Sequence, residues 1–160
     1  MPDIIYALIL SILPIAELRG GIPYALLTGY PVWLSYISCV AVNFLVGPIV
    51  FLFLNSVHKV FYKLSFYQKL FDWFERRVRR KTSHLIEKYG FWGVTLFVAI
   101  PLPVTGAYTG SAAAWLFKLD WKRSMLAVLV GVMIAGIVVT TVMVMGIEWL
   151  KPLFVKSINH

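Results

Sequence analysis

Two short stretches hold the residues of this chain best suited to chemistry. Residues 14 to 23, PIAELRGGIP, set Glu17 and Arg19 among Pro14, Gly20, Gly21 and Pro23, directly after an apolar run. Residues 101 to 111, PLPVTGAYTGS, set the hydroxyls of Thr105, Tyr108, Thr109 and Ser111 among Pro101, Pro103, Gly106 and Gly110, again after an apolar run. Side chains two apart do not face each other on a helix, so Glu17 and Arg19 can pair only where the backbone is unwound. An ionisable group at membrane depth costs at least about 2.5 kcal/mol on insertion scales, and such groups mark pathways, proton relays or ligand counter-ions. Arg19, with its planar fork, suits a phosphate or carboxylate. Glu17 suits a coupling proton if its burial tunes it. The alternative is a structural salt bridge that pins the segment, and under either reading the prolines and glycines are structural. The second stretch offers hydroxyls without charge, which either bond freed carbonyls of their own segment or contact a ligand. Asn43 is a further candidate, placed to brace either stretch.

The composition sets these stretches in a membrane. Of 160 residues, 60% are hydrophobic and 14% charged, with mean hydropathy +0.81, far from a soluble domain. Segments of about 20 apolar residues are what a bilayer core requires. The chain divides as a single membrane domain: 3–30, 32–57, a polar insertion 58–89, 90–117 and 122–150. Segments 32–57 and 122–150 read as ordinary transmembrane helices. The first carries Trp33 and Tyr36 as interface anchors and Gly47–Pro48 as a kink. The second carries Thr140 and Thr141, expected to bond back to their own helix, and a small-residue stripe at Ala127, Gly131 and Ala135. Segments 3–30 and 90–117 break in the middle, because proline removes a backbone donor and clustered glycine favours non-helical backbone. Backbone freed in hydrocarbon must be satisfied by protein or cavity water. Each half is about ten residues, roughly 15 Å of helix, which suits a hairpin that dips in and returns. The expected fold is therefore an all-α integral membrane protein, an inverted repeat of re-entrant hairpin plus transmembrane helix. Full crossing by both broken segments is the alternative, and the charge rule separates the two only weakly.

The insertion holds nine Lys and Arg against Asp72, Glu75 and Glu87, which places it in the cytoplasm of what reads as a prokaryotic plasma membrane. Ser65 with Gln68 forms a capping-box signal, and Phe71, Phe74 and Val78 continue an apolar face. Asp72 with Arg76, and Glu75 with Arg79, are pairs at four-residue spacing. The expected element is a basic amphipathic helix on the inner membrane surface, with ERRVRRK against anionic headgroups. Nucleic-acid binding does not fit basic charge lodged between membrane segments. The lone Cys39 excludes an intrachain disulfide, no metal or cofactor motif is present, and the N-terminal segment lacks a cleavable signal pattern. His58, His84 and His160 lie outside the expected core, and no hydrolase or nucleotide motif occurs, so an enzyme is not expected.

PIAELRGGIPYAL followed by PLPVTGAYTGSAAAW resembles the small multidrug export protein family and, more remotely, the DedA group of membrane proteins. The resemblance covers most of the chain and both breaks. It implies two re-entrant hairpins facing each other across the bilayer, and for DedA-type proteins a link to moving polyprenyl-phosphate carriers with dependence on the proton-motive force. DedA-type second hairpins carry arginine, and residues 101 to 117 here carry none. Three functions follow as expectations. The first is a translocase of an anionic lipid or other amphiphile, with Arg19 on the headgroup and Glu17 in coupling. The second is an exporter of lipophilic cations with Glu17 as counter-charge, and the third a membrane scaffold without transport. Membrane lipids and an amphiphilic substrate are the expected partners. A homodimer through the stripe at Ala127, Gly131 and Ala135 fits a chain with so few segments.

Overall fold

The computed structural model of the chain describes residues 2–56, 58–101 and 106–158, and among them every regular element is a helix. The order is α1 (Pro2–Ile12), α2 (Glu17–Leu27), α3 (Val32–Ser56), a single turn α4 (His58–Phe61), α5 (Ser65–Tyr89), α6 (Phe91–Ala99), α7 (Ala107–Leu116) and α8 (Trp121–Ile158). Two short helices followed by a long one thus occur twice, with α4 and α5 between.

α1 and α2 form an antiparallel pair. Gly21 lies against Ala7 and Ser11, Gly20 against Leu10, and the Tyr24 ring meets Tyr6 edge-on at 6.5 Å, so positions rise on one helix as they fall on the other. A methyl on Gly21 would enter the Ser11 hydroxyl and the Ala7 carbonyl. Gly20 and Gly21 therefore form a packing notch inside α2, and Pro23 also lies inside that helix. The break is 13–16, upstream of the glycines expected to unwind it. Proline within a helix forfeits one hydrogen bond, and an interior site in a packed bundle tolerates that loss.

α3 and α8 are the two helices long and apolar enough to cross a membrane, over Val32–Ser56 and Trp121–Ile147. α3 continues through Pro48 without a break. Less than half of each span is buried inside the protein. Their outer faces expose Ile37, Leu45, Ile49 and Leu52 on one and Ile134, Ile137, Val142 and Met145 on the other. A belt of this kind fits lipid and not water. The two run antiparallel: Gly47 of α3 meets Val128, Gly136 of α8 meets Val40, and the Tyr36 hydroxyl donates to the Met133 carbonyl at 3.1 Å. Tyr36 is thus a tie between helices.

The stripe on α8 is occupied. Ala127 is wholly buried, and a methyl on Gly131 would come within 2.6 Å of Val98 in α6. Small residues let α6 approach its own chain, so the stripe is not available as a dimer face. Gly110 likewise packs inside α7 against Val98 and does not break it. The second break starts at Ile100 and Pro101, where extended backbone and a missing donor stop α6. Pro103 and Thr105 lie outside the described residues. Thr140 does not bond back to its helix: its hydroxyl is buried without a partner.

α5 folds back onto the bundle, burying Phe71, Val78 and Ile86 on the side of α6 and α7. Its outer face exposes Phe66, Leu70 and Trp73, with Arg77 over the Trp73 ring. The expected capping box is absent, because Leu64 takes the cap position and Ser65 is already helical. Glu75 pairs with Arg79 at 2.7 Å, whereas Asp72 accepts instead from the Tyr62 hydroxyl at 3.0 Å. α5 ends at Gly90, whose φ of +50° in open space asks for glycine by conformation alone.

Candidate functional site

The two breaks meet, and each supplies what the other lacks. The first four N–H groups and last four carbonyls of any helix have no partner within it. In the 13–16 connection the Glu17 N–H bonds the Leu13 carbonyl at 2.9 Å, and Glu17 takes φ +49°. That left-handed conformation costs a side-chain-bearing residue roughly 1–2 kcal/mol. It opens α2 and leaves the Glu17 carboxyl at the start of α7. There it accepts hydrogen bonds from the backbone N–H groups of Ala107 and Tyr108. A carboxylate at a helix N-terminus satisfies orphan donors and meets the positive end of the macrodipole together.

Gly106 makes the approach possible. Its φ of −110° is open to any residue, but a Cβ there would fall inside the Glu17 carboxyl. The glycine is required by space. In the reverse direction the Tyr108 hydroxyl donates to the Ile12 carbonyl, the last residue of α1. The tyrosine therefore bonds a freed carbonyl of the other hairpin, whereas the sequence led to the expectation of one in its own. Glu17 caps α7 and Tyr108 caps α1: a reciprocal clasp.

Arg19 lies two residues further into α2, half-buried, and interacts electrostatically with Glu17. Asn43, buried in α3, donates from Nδ2 to the Ser11 carbonyl at 2.7 Å and so holds hairpin α1–α2 from behind. Asn43, Pro101 and Gly106 border a void of about 10 Å³ on one side of Glu17, close to the least volume that holds one water.

On another side lies a cavity of about 560 Å³, within the ordinary range for small-molecule sites. Pro14, Glu17 and Arg19 bound one end, Tyr108 and Thr109 of α7 one flank, and Ile49 and Phe53 of α3 another. Phe71 and Phe74 of α5 form a further wall, and the exposed Ile49 leaves the cavity open on the outer side of α3. A carboxyl and a guanidinium at the end of a largely apolar chamber can hold a charged headgroup while the walls receive an alkyl or aromatic body.

The candidate residues thus divide. Glu17, Arg19, Pro14, Tyr108 and Thr109 share the cavity, with Gly106 against Glu17. Gly20, Gly21 and Gly110 are packing notches elsewhere. Ser111 faces Gly47 of α3, away from the cavity, and its buried hydroxyl has no partner. Thr105 falls outside the described residues. Sequence reasoning missed Phe53 and the aromatic wall of α5. The signal was present in α5, whose apolar positions occupy two faces: Phe71, Phe74 and Val78 on one, Phe66, Leu70 and Trp73 on the other.

A family model described as "Putative small multi-drug export protein" matches residues 17–138, a stretch that begins at Glu17, just after the first break, and contains Gly106, Ala107 and Tyr108 at the second. The chain belongs to this family. No curated protein and no solved structure matches it. The family member described here is an all-helical membrane protein with its ionisable pair at the junction of two helical hairpins.

Proposed function

We propose that this member of the small multi-drug export family moves an amphiphile with an anionic headgroup across the membrane, through the cavity at Glu17 and Arg19. In this reading the hairpins α1–α2 and α6–α7 are re-entrant, related as an inverted repeat, and the basic insertion faces the cytoplasm. The observation that carries it is the clasp at the cavity end. Two backbone amides of α7 already engage the Glu17 carboxyl oxygens, so Glu17 is poorly placed to serve a cationic cargo. Arg19 has five N–H donors, enough to hold a structural acceptor and an oxyanion at once. Glu17 remains the group through which a proton can alter the clasp, since protonation weakens its bonds to the α7 amides.

Export of lipophilic cations is the second reading, favoured by the family description, with the aromatic walls as the route. Flux into proteoliposomes of polyprenyl phosphate and of a lipophilic cation, measured for wild type, Arg19→Ala and Glu17→Gln with thermal stability checked, separates them. Loss of phosphate-lipid flux in folded Arg19→Ala supports the anionic reading. A requirement for Glu17 with the cation supports the second. Folded variants with both fluxes intact would make the pair structural.

A further inference from the structure

A second cavity, of about 510 Å³, lies beside the first and differs in character. Both are bounded by α3, α5 and α7, and Phe71 lines both. Along α7 the first touches Tyr108 and Ala112 and the second Trp115, a run at four- and three-residue spacing. Residues so spaced share one helix face, and Tyr108 to Trp115 spans about 10 Å. The two chambers are therefore successive compartments under α5, with the buried Phe71 ring between them.

The walls of the second mix polar and apolar side chains. Arg79 is held on three sides: Nε to Glu75 at 2.7 Å, Nη2 towards the Leu116 carbonyl at 3.4 Å, and its guanidinium 5.2 Å over the Phe117 ring. Lys118 follows α7 with φ +55°, a left-handed residue that reverses the chain into α8. The Trp115 indole N–H donates to the Asn55 side-chain oxygen at 2.9 Å. His58 stands among the rings of Tyr62, Phe71 and Trp115 at 4.1 to 5.3 Å, with Nδ1 3.2 Å from the Tyr67 hydroxyl. Two permanent cations, Arg79 and Lys118, thus face one carboxylate, Glu75, in a partly enclosed site with an apolar chamber behind it.

We infer that this second cavity binds an oxyanion headgroup borne on an alkyl chain, with Arg79 and Lys118 on the headgroup and the chain directed past Phe71 into the apolar cavity. Arg79 is already fixed by Glu75, Leu116 and Phe117, so little ordering remains to be lost on binding. An alkyl chain can lie against the Phe71 ring, whereas a hydrated ion would have to shed its water there. A role as vestibule rests on the transport reading above, whereas binding does not.

The test is titration of the full chain in non-ionic detergent with decyl phosphate, inorganic phosphate and decyltrimethylammonium. The signal is Trp115 emission, taken as the difference between wild type and Trp115→Phe. Decyl phosphate is expected to bind at least tenfold more tightly than either other probe. Arg79→Gln with Lys118→Gln is expected to weaken it at least tenfold. Lys118→Asn, which keeps a residue tolerant of positive φ and leaves Arg79 in place, covers the case in which the double variant misfolds, with an expected threefold loss. Equal binding of inorganic phosphate would assign a free-anion site and overturn the headgroup. Equal binding of the cation, or unchanged affinity in Lys118→Asn, would overturn the site. Tight decyl phosphate binding in a protein that shows no flux with any substrate would overturn the transport reading alone.

Discussion

The hairpins α1–α2 and α6–α7 share an outline and differ in what they bring to their junction. The first is joined by a short connection and brings a carboxylate on a left-handed residue. The second brings a helix N-terminus, and α7 is so rich in alanine, glycine and serine that nearly every position is buried. One hairpin offers charge, the other aligned dipoles and close approach. Two identical hairpins could not do this: two carboxylates would repel, and two helix N-termini would leave their donors unmet.

Substitutions can break that complementarity in graded steps. Gly106→Val places a side chain where the Glu17 carboxyl sits and separates the hairpins, so the loss is expected to be the largest, about 3 kcal/mol from overpacking alone. It is read as a fall in thermal midpoint in detergent. A midpoint equal to wild type would mean the carboxyl is not docked.

Glu17→Ala leaves two α7 amides without acceptors, at about 2 kcal/mol. Glu17→Gln keeps an oxygen there and is expected to lose about half as much. Glu17→Gly should also lose less than Glu17→Ala, because glycine recovers about 1 kcal/mol of left-handed strain. A denaturation midpoint for Ala below those of both Gln and Gly is the diagnostic.

Tyr108→Phe removes the opposite half of the clasp, a single neutral bond to the Ile12 carbonyl. Bonds of this kind within membranes are worth about 0.6 kcal/mol. Combined with Glu17→Ala it should give a non-additive cycle, since either loss loosens the same junction. Strict additivity would show two independent contacts.

The smallest effect expected lies outside the junction and serves as a contrast. Burial pushes the His58 imidazole below its ordinary value, with Glu75 opposing. The unfolded chain then takes up its proton first as pH falls through about 6.5, so the stability held by neutral His58 is present above that pH and lost below it. His58→Asn should flatten the change in midpoint between pH 7.5 and 5.5 by a small amount, because His58 is only partly buried. A wild-type slope as shallow as that of the variant would remove His58 from the account.

Much of the architecture was legible in the residues. Pro14 and Pro101 act locally, and both chain breaks lie beside them. The paired Glu75 and Arg79 were legible for the same reason, four residues apart on one helix. Gly20, Gly21 and Gly110 misled, because glycine serves close packing and broken backbone alike, and only the neighbour distinguishes them: Ser11 in one case, Val98 in another. The fold-back of α5 was hidden because a basic amphipathic helix suits a membrane surface and a protein surface equally. Asp72 had two acceptable donors, Arg76 by spacing and Tyr62 by the turn before α5, and the turn decided.

The sequence by itself determined the membrane setting, the two breaks and the basic insertion, since apolar content, missing backbone donors and net charge are properties of short segments. The tertiary structure alone decided that Glu17 caps α7, that Tyr108 caps α1, and that the aromatics of α5 line the cavity. The two caps join residues some ninety positions apart. An unsatisfied helix end accepts any partner of the right polarity, so no local pattern names the one it finds.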